Sequence, residues 1–159
     1  MIEEEKTDII LLCIIRAIHR VATPEAMILI VRAAAQEFIN YLTSENIINN
    51  NDDIMKNLQK IIETLRNYNI ISNIKISKTE KNITVRGTCS FFRLCKCVDK
   101  VLRKRDDLRL LFRDRPCAIA MILESYVDEQ EIQCDIYVTC EEGAFEISVE
   151  GLGGGPAGI

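Results

Sequence analysis

Between Ile54 and Leu65, apolar side chains fall at Ile54, Leu58, Ile61, Ile62 and Leu65, which is the spacing of one helix face. Just beyond, the period drops to two. Ile70–Lys78 alternates, Thr79-Glu80-Lys81-Asn82 supplies turn residues, and Ile83–Thr88 alternates back, so a β-hairpin is expected. Near the end of the chain the same change recurs. An apolar helix over Pro116–Asp128 precedes a second hairpin of Ile132–Thr139 and Ala144–Val149, joined through Glu141-Glu142-Gly143.

Upstream, residues 3–21 read as a helix that is apolar around most of its circumference from Ile9 to Ile18. Such breadth implies burial on more than one side, in a core or against a second subunit. Thr23-Pro24-Glu25 restarts the helix with an N-cap, a proline at the first helical position and an acid in the first turn. This second helix is expected to run to about Leu42 and bury Met27, Ile30, Val31, Ala34, Phe38 and Ile39. Asn49-Asn50-Asn51-Asp52 is a loop expected to cap the third helix, and residues 91–113 read as helical with a break at Arg105-Asp106-Asp107. The pattern predicts one α+β domain over residues 1–150. Its helical front half packs on two antiparallel hairpins that form one small sheet, and a flexible glycine-rich tail covers 151–159.

Composition narrows the function. Five of seven glycines lie in the tail, and only Gly87 and Gly143 serve the body, too few for a phosphate-cradling loop. A Walker or Rossmann nucleotide site is thereby excluded. Seven cysteines, an odd number, with an acidic start and no leader pattern, indicate reduced thiols in a cytoplasmic protein. The apolar run Ile9–Ile15 is too short to span a membrane.

Charge is segregated. Residues 93–115 carry nine basic side chains, from Arg93 to Arg115, and 116–159 carry nine acidic and none basic. Internal complementarity is the simplest reading, with peripheral contact to anionic lipid as an alternative. No aromatic platform lies among the bases, which argues against nucleic acid. His19, the single histidine, shares its helix face with Arg16 and Arg20 and has no sequence-evident nucleophile partner, so catalysis has little support.

The order of helices, hairpin, helix, Arg115-Pro116-Cys117 helix start and final hairpin resembles the 4-vinyl-reductase-like or hydrocarbon-binding domain family. That family is related in fold to small TRAPP-complex subunits. Ile136–Cys140 resembles the family's strand into a turn, and Ala144-Phe145-Glu146-Ile147 its closing strand. Two features depart from the pattern: the 117–128 helix has no glycine, and Gly143 or Ala144 stands where a last cysteine is expected. The resemblance implies a dimeric sensor or carrier with an apolar pocket for a hydrocarbon or lipid-like molecule. Its lining is expected from Phe38, Phe91, Phe92, Met121 and Ile122, with Arg93 and Arg115 at the mouth for an anionic head group. It also implies a possible zinc site on Cys117, Cys134 and Cys140, weighed against three buried thiols. The alternatives are a homodimeric adaptor without ligand and a vinyl-group reductase-like enzyme.

Overall fold

A computed structural model describes residues 24–90 and 117–152, together with Cys13, Ile14, Ala17, Ile18, Arg20 and Val21, which are helical. Three further helices, α1 (Pro24–Ser44), α2 (Ile54–Asn67) and α3 (Ala118–Glu129), accompany four strands. The strands are β1 (Ile71–Lys78), β2 (Ile83–Cys89), β3 (Asp135–Glu141) and β4 (Ala144–Glu150). They form one antiparallel sheet in the order β1-β2-β4-β3, so the two hairpins join through their second strands. The expected α+β architecture, with helices on a sheet built from two hairpins, is the one observed.

Strand alternation divides the sheet into two faces. Ile83 and Val85 of β2, Phe145, Ile147 and Val149 of β4, and Ile136 of β3 point inward and are buried. They share one core with Leu58, Ile61, Ile62 and Leu65 of α2, Leu123, Tyr126 and Val127 of α3, and Ile39 and Leu42 of α1. Helix α2 lies against β1, α3 against β3, and α1 packs on α3. Apart from the exposed Tyr137, residues of the opposite parity on β2, β3 and β4 are polar or small. Thr84 and Ser148 exchange a hydroxyl hydrogen bond at 3.1 Å, and Arg86 donates to Glu146 across the same strand pair.

One polar group sits in this core. Asn57 is fully buried and lies on the inward face of α2, one residue before Leu58. Its amide donates to the Tyr126 hydroxyl at 2.9 Å and to the Asn49 carbonyl at 2.7 Å. Its oxygen accepts from the Asn49 N–H at 3.4 Å. Asn57 therefore links α2, α3 and the loop between α1 and α2. Among the described residues no buried side-chain nitrogen or oxygen lacks a partner.

Several expectations shift in detail. Helix α1 buries Ala35, Ile39 and Leu42, whereas Ile30 and Ala34, expected inside, are exposed. The side chains of Met27 and Val31 lie outside the described set. The Asn49–Asp52 loop does not cap α2; Asp53 occupies that position without a side-chain cap bond. Asp52 instead accepts from Lys60 at 3.1 Å and approaches Lys56 at 3.6 Å, and the Lys60 bond holds its carboxyl below the usual range. Helix α3 starts at Ala118, with Cys117 in extended conformation at its N-cap. Strand β3 starts at Asp135, three residues later than expected, because Glu131 adopts φ 57° and turns the chain first. The expected tail also begins later. Gly151 N–H donates to Asn82 and Leu152 N–H to the Lys81 carbonyl, while the Leu152 side chain packs against the core. The helices expected over 3–21 and 91–113, and the tail from 153, fall wholly or largely outside the described residues.

Gly87 marks a close approach between strands. A Cβ there would stand 2.8 Å from the Ser72 carbonyl oxygen and 3.3 Å from the Phe145 ring. Gly87→Ala should therefore destabilise the fold by about 1–3 kcal/mol in chemical denaturation. At the core node, Asn57→Ala strands the Tyr126 hydroxyl and the Asn49 backbone together and should cost about 2–4 kcal/mol, with Tyr126→Phe costing less. A double-mutant cycle giving no coupling between the two positions would show that their hydrogen bond contributes nothing.

Candidate functional site

The β3–β4 connection positions a concavity on the sheet. Glu142 (φ 49°) and Gly143 (φ 87°) both adopt left-handed backbone, the requirement of a two-residue type I′ turn. Gly143 meets that requirement without steric cost, and the turn matches the twist of its flanking strands. The Gly143 carbonyl accepts from Cys89 N–H at 2.9 Å, which fixes the turn to the end of β2.

Beside this turn, a concavity of about 740 Å³ is lined by Arg86 and Gly87 of β2, Val138–Glu141 of β3 and Ala144–Glu146 of β4. The register aligns these residues in rows: Arg86 opposite Glu146 opposite Thr139, and Gly87 opposite Phe145 opposite Cys140. Arg86, Glu146, Thr139, Glu141 and Ala144 share the parity that faces away from the helices. On the outward face the lining thus combines a paired guanidinium and two carboxylates with Thr139 and Ala144, while Val138, Cys140 and Phe145 belong to the inward parity. Such a surface suits an amphiphile better than a bare hydrocarbon.

Of the residues expected to bind a ligand, Phe38, Met121 and Ile122 are described, and these three are not among the described residues that line this concavity. Phe38 and Ile122 are half-buried and pack against the common core from α1 and α3. Met121 is half-buried on α3. Phe91, Phe92, Arg93 and Arg115 lie outside the described residues, as does His19. The concavity eluded sequence reading because it depends on which strands are neighbours. Alternation alone marks Arg86, Thr139 and Glu146 as outward-facing, but only the β2-β4-β3 order brings them together.

Cys140 lies on the inward parity of β3, and the electrostatic influence of its thiol reaches Cys117 at the start of α3. Cys134, expected on the same strand, precedes β3. Among the described residues no group of three or more His, Cys, Asp or Glu side chains is placed to hold a metal ion. Burial pushes the Cys117 thiol up from its ordinary value, and Cys140 adds to the rise, while the N–H groups of Ala120 and Ile119 oppose it. Burial likewise raises Tyr126, against the effect of its bond to Asn57.

Helix α1 presents a separate apolar feature. Leu29 is 66% exposed and Ile30 43%, with Ala33 and Ala34 exposed beside them. Val21 and Ile14 upstream are exposed at 85% and 49%. Among the described residues, no helix is long and apolar enough to cross a membrane. No family model and no curated protein matches the chain.

Raised pKa values in the folded state set the sign of the alkaline response. The unfolded chain loses its Cys117 and Tyr126 protons first, so stability should be level near neutrality and fall once pH passes the ordinary thiol range. Cys117→Ala should flatten the first part of that decline in urea midpoints measured across pH. At about pH 8, iodoacetamide should modify Cys117 more slowly than exposed Cys13.

Proposed function

We propose that this domain binds an amphiphilic, lipid-like small molecule and acts as a homodimeric sensor or carrier in the cytoplasm. The observation that carries the ligand reading is the mixed concavity of about 740 Å³ on the sheet. Its volume suits a compact organic molecule. Arg86 is engaged by Glu146, and among the described residues Glu141 has no ion-pair partner. The lining therefore favours a cationic head group beside Glu141, with an aliphatic portion along Ala144 on the same outward face. This head-group polarity differs from the anionic one implied by Arg93 and Arg115. The order of helices, hairpin, helix and hairpin that resembles the hydrocarbon-binding domain family supports a binding role, and the ligand chemistry is read from the lining alone.

A second reading, a homodimeric adaptor without ligand, draws on the exposed stripe of α1. Leu29, Ile30, Ala33 and Ala34 place two large aliphatic side chains beside small ones, a surface on which another helix can approach closely. Both readings use this stripe as the self-association face.

Two measurements separate them. A dansyl-labelled long-chain amine should bind saturably and more tightly than the matching acid, and Glu141→Gln should erase about three- to tenfold of that preference. No saturable binding of either probe leaves the adaptor reading. In sedimentation, the protein should run at twice its 18.1 kDa chain mass, and Leu29→Glu should convert it to a monomer that retains its circular dichroism. A wild-type protein that is monomeric at micromolar concentration removes the dimer from both.

A further inference from the structure

The two edges of the sheet differ. At one edge, β1 is interrupted between Ser72 and Lys75, with Asn73 at φ 53°, and it carries Lys75 and Lys78. A bulge and lysines are devices that discourage another strand from pairing. At the other edge, β3 runs from Asp135 to Glu141 in unbroken register with β4. Its sequence Asp-Ile-Tyr-Val-Thr-Cys-Glu contains no proline, glycine or lysine. Among the described residues, the strand ladder of β3 is with β4 alone.

The type I′ turn determines which backbone groups face outward. A two-residue loop closes on a hydrogen-bonded pair, here Glu141 and Ala144, and such pairs alternate along an antiparallel ladder. Glu141, Thr139, Tyr137 and Asp135 thus direct their N–H and C=O groups toward β4. Cys140, Val138 and Ile136, between them, direct theirs toward the edge. The apolar covering is also incomplete here. Val138 and Cys140 are half-buried, whereas their β4 partners Ile147 and Phe145 are 1% and 4% exposed. A strand added beside β3 would extend the ladder and cover this residual apolar surface.

Charge selects the occupant. The outward parity of β3 begins with Asp135 and ends with Glu141; Glu142 follows in the turn, and β4 adds Glu150, while Glu146 is engaged by Arg86. Neither strand contains a lysine or arginine. A second copy of β3 paired antiparallel about Val138 would place Asp135 opposite Glu141 at both ends, and like charges directly opposite destabilise a strand pair. We propose that the β3 edge is a docking site for an extended basic peptide segment of a partner protein, which adds as a fifth strand. The segment places basic side chains opposite Asp135 and Glu141, six residues apart, with apolar side chains at the positions facing Ile136, Val138 and Cys140. Tyr137, 55% exposed between the two acids, gives the segment's outward side chains an aromatic surface to pack on.

The test uses the full chain and a capped, fluorescently labelled heptapeptide with lysine at each end and valine and threonine alternating between, valine first and last. It should bind saturably, and replacing both lysines by glutamate should abolish binding. N-methylation of the valines, whose N–H groups would face β3, should also abolish binding, while N-methylation of the threonines should leave it nearly unchanged. Because these arms leave the protein unaltered, they remain decisive even if a variant folds poorly. Asp135→Lys with Glu141→Lys should weaken binding by about tenfold or more. Asp135 does not line the concavity, so a loss caused by Asp135→Lys alone separates edge docking from occupation of that site. Equal binding of both N-methylated peptides, or no saturable binding of the parent peptide, would overturn the proposal. So would a self-associated protein that ignores the peptide and is dissociated by Val138→Pro, since the edge would then belong to a second copy.

Discussion

The hydrogen bonds of Asn57 constrain the relative placement of everything around them. A buried amide must satisfy both its donor and acceptor ends, and here the partners come from α3 and from the loop after α1. Apolar packing tolerates small slides and rotations, whereas an amide held at three points tolerates far less. With α2 set against α3, the two helices present a fixed lower surface to β1 and β3. The sheet then carries that alignment to the second hairpin.

Much of this arrangement is legible from spacing alone. The Leu58, Ile61, Ile62 and Leu65 series identifies the buried face of α2, and period two identifies both hairpins, because in each case one face meets the core and the other meets water. The reading weakens where both sides of an element are apolar. Helix α1 carries Ile30 and Ala34 on one side and Ala35, Ile39 and Leu42 on another, and periodicity does not say which side the core selects. The start of β3 was obscured for a different reason. Ile132 fits the alternation, but the left-handed turn at Glu131 delays the strand, and its residue type does not advertise that conformation.

The candidate site was less legible than the fold because its parts are distant in sequence. Arg86 and Glu146 are sixty positions apart and meet only through the β2–β4 pairing. Phe38 and Ile122, large side chains on separate helices, are partly buried against the core. Cys134 precedes β3, whereas Cys140 lies within it, a difference set by the turn at Glu131.

The contrast between the two sheet edges bears on how large an assembly can grow. Fibrillar growth needs two competent ends, so that each added strand presents a new template. The irregular, lysine-bearing β1 offers a poor second end, and the geometry behaves as a chain terminator. Pairing at β3 would yield a discrete complex in which the addition of one strand leaves no equivalent site on β1. Restoring regular pairing at Asn73 and removing the neighbouring lysines would remove that asymmetry, exchanging a self-limiting surface for one capable of propagation.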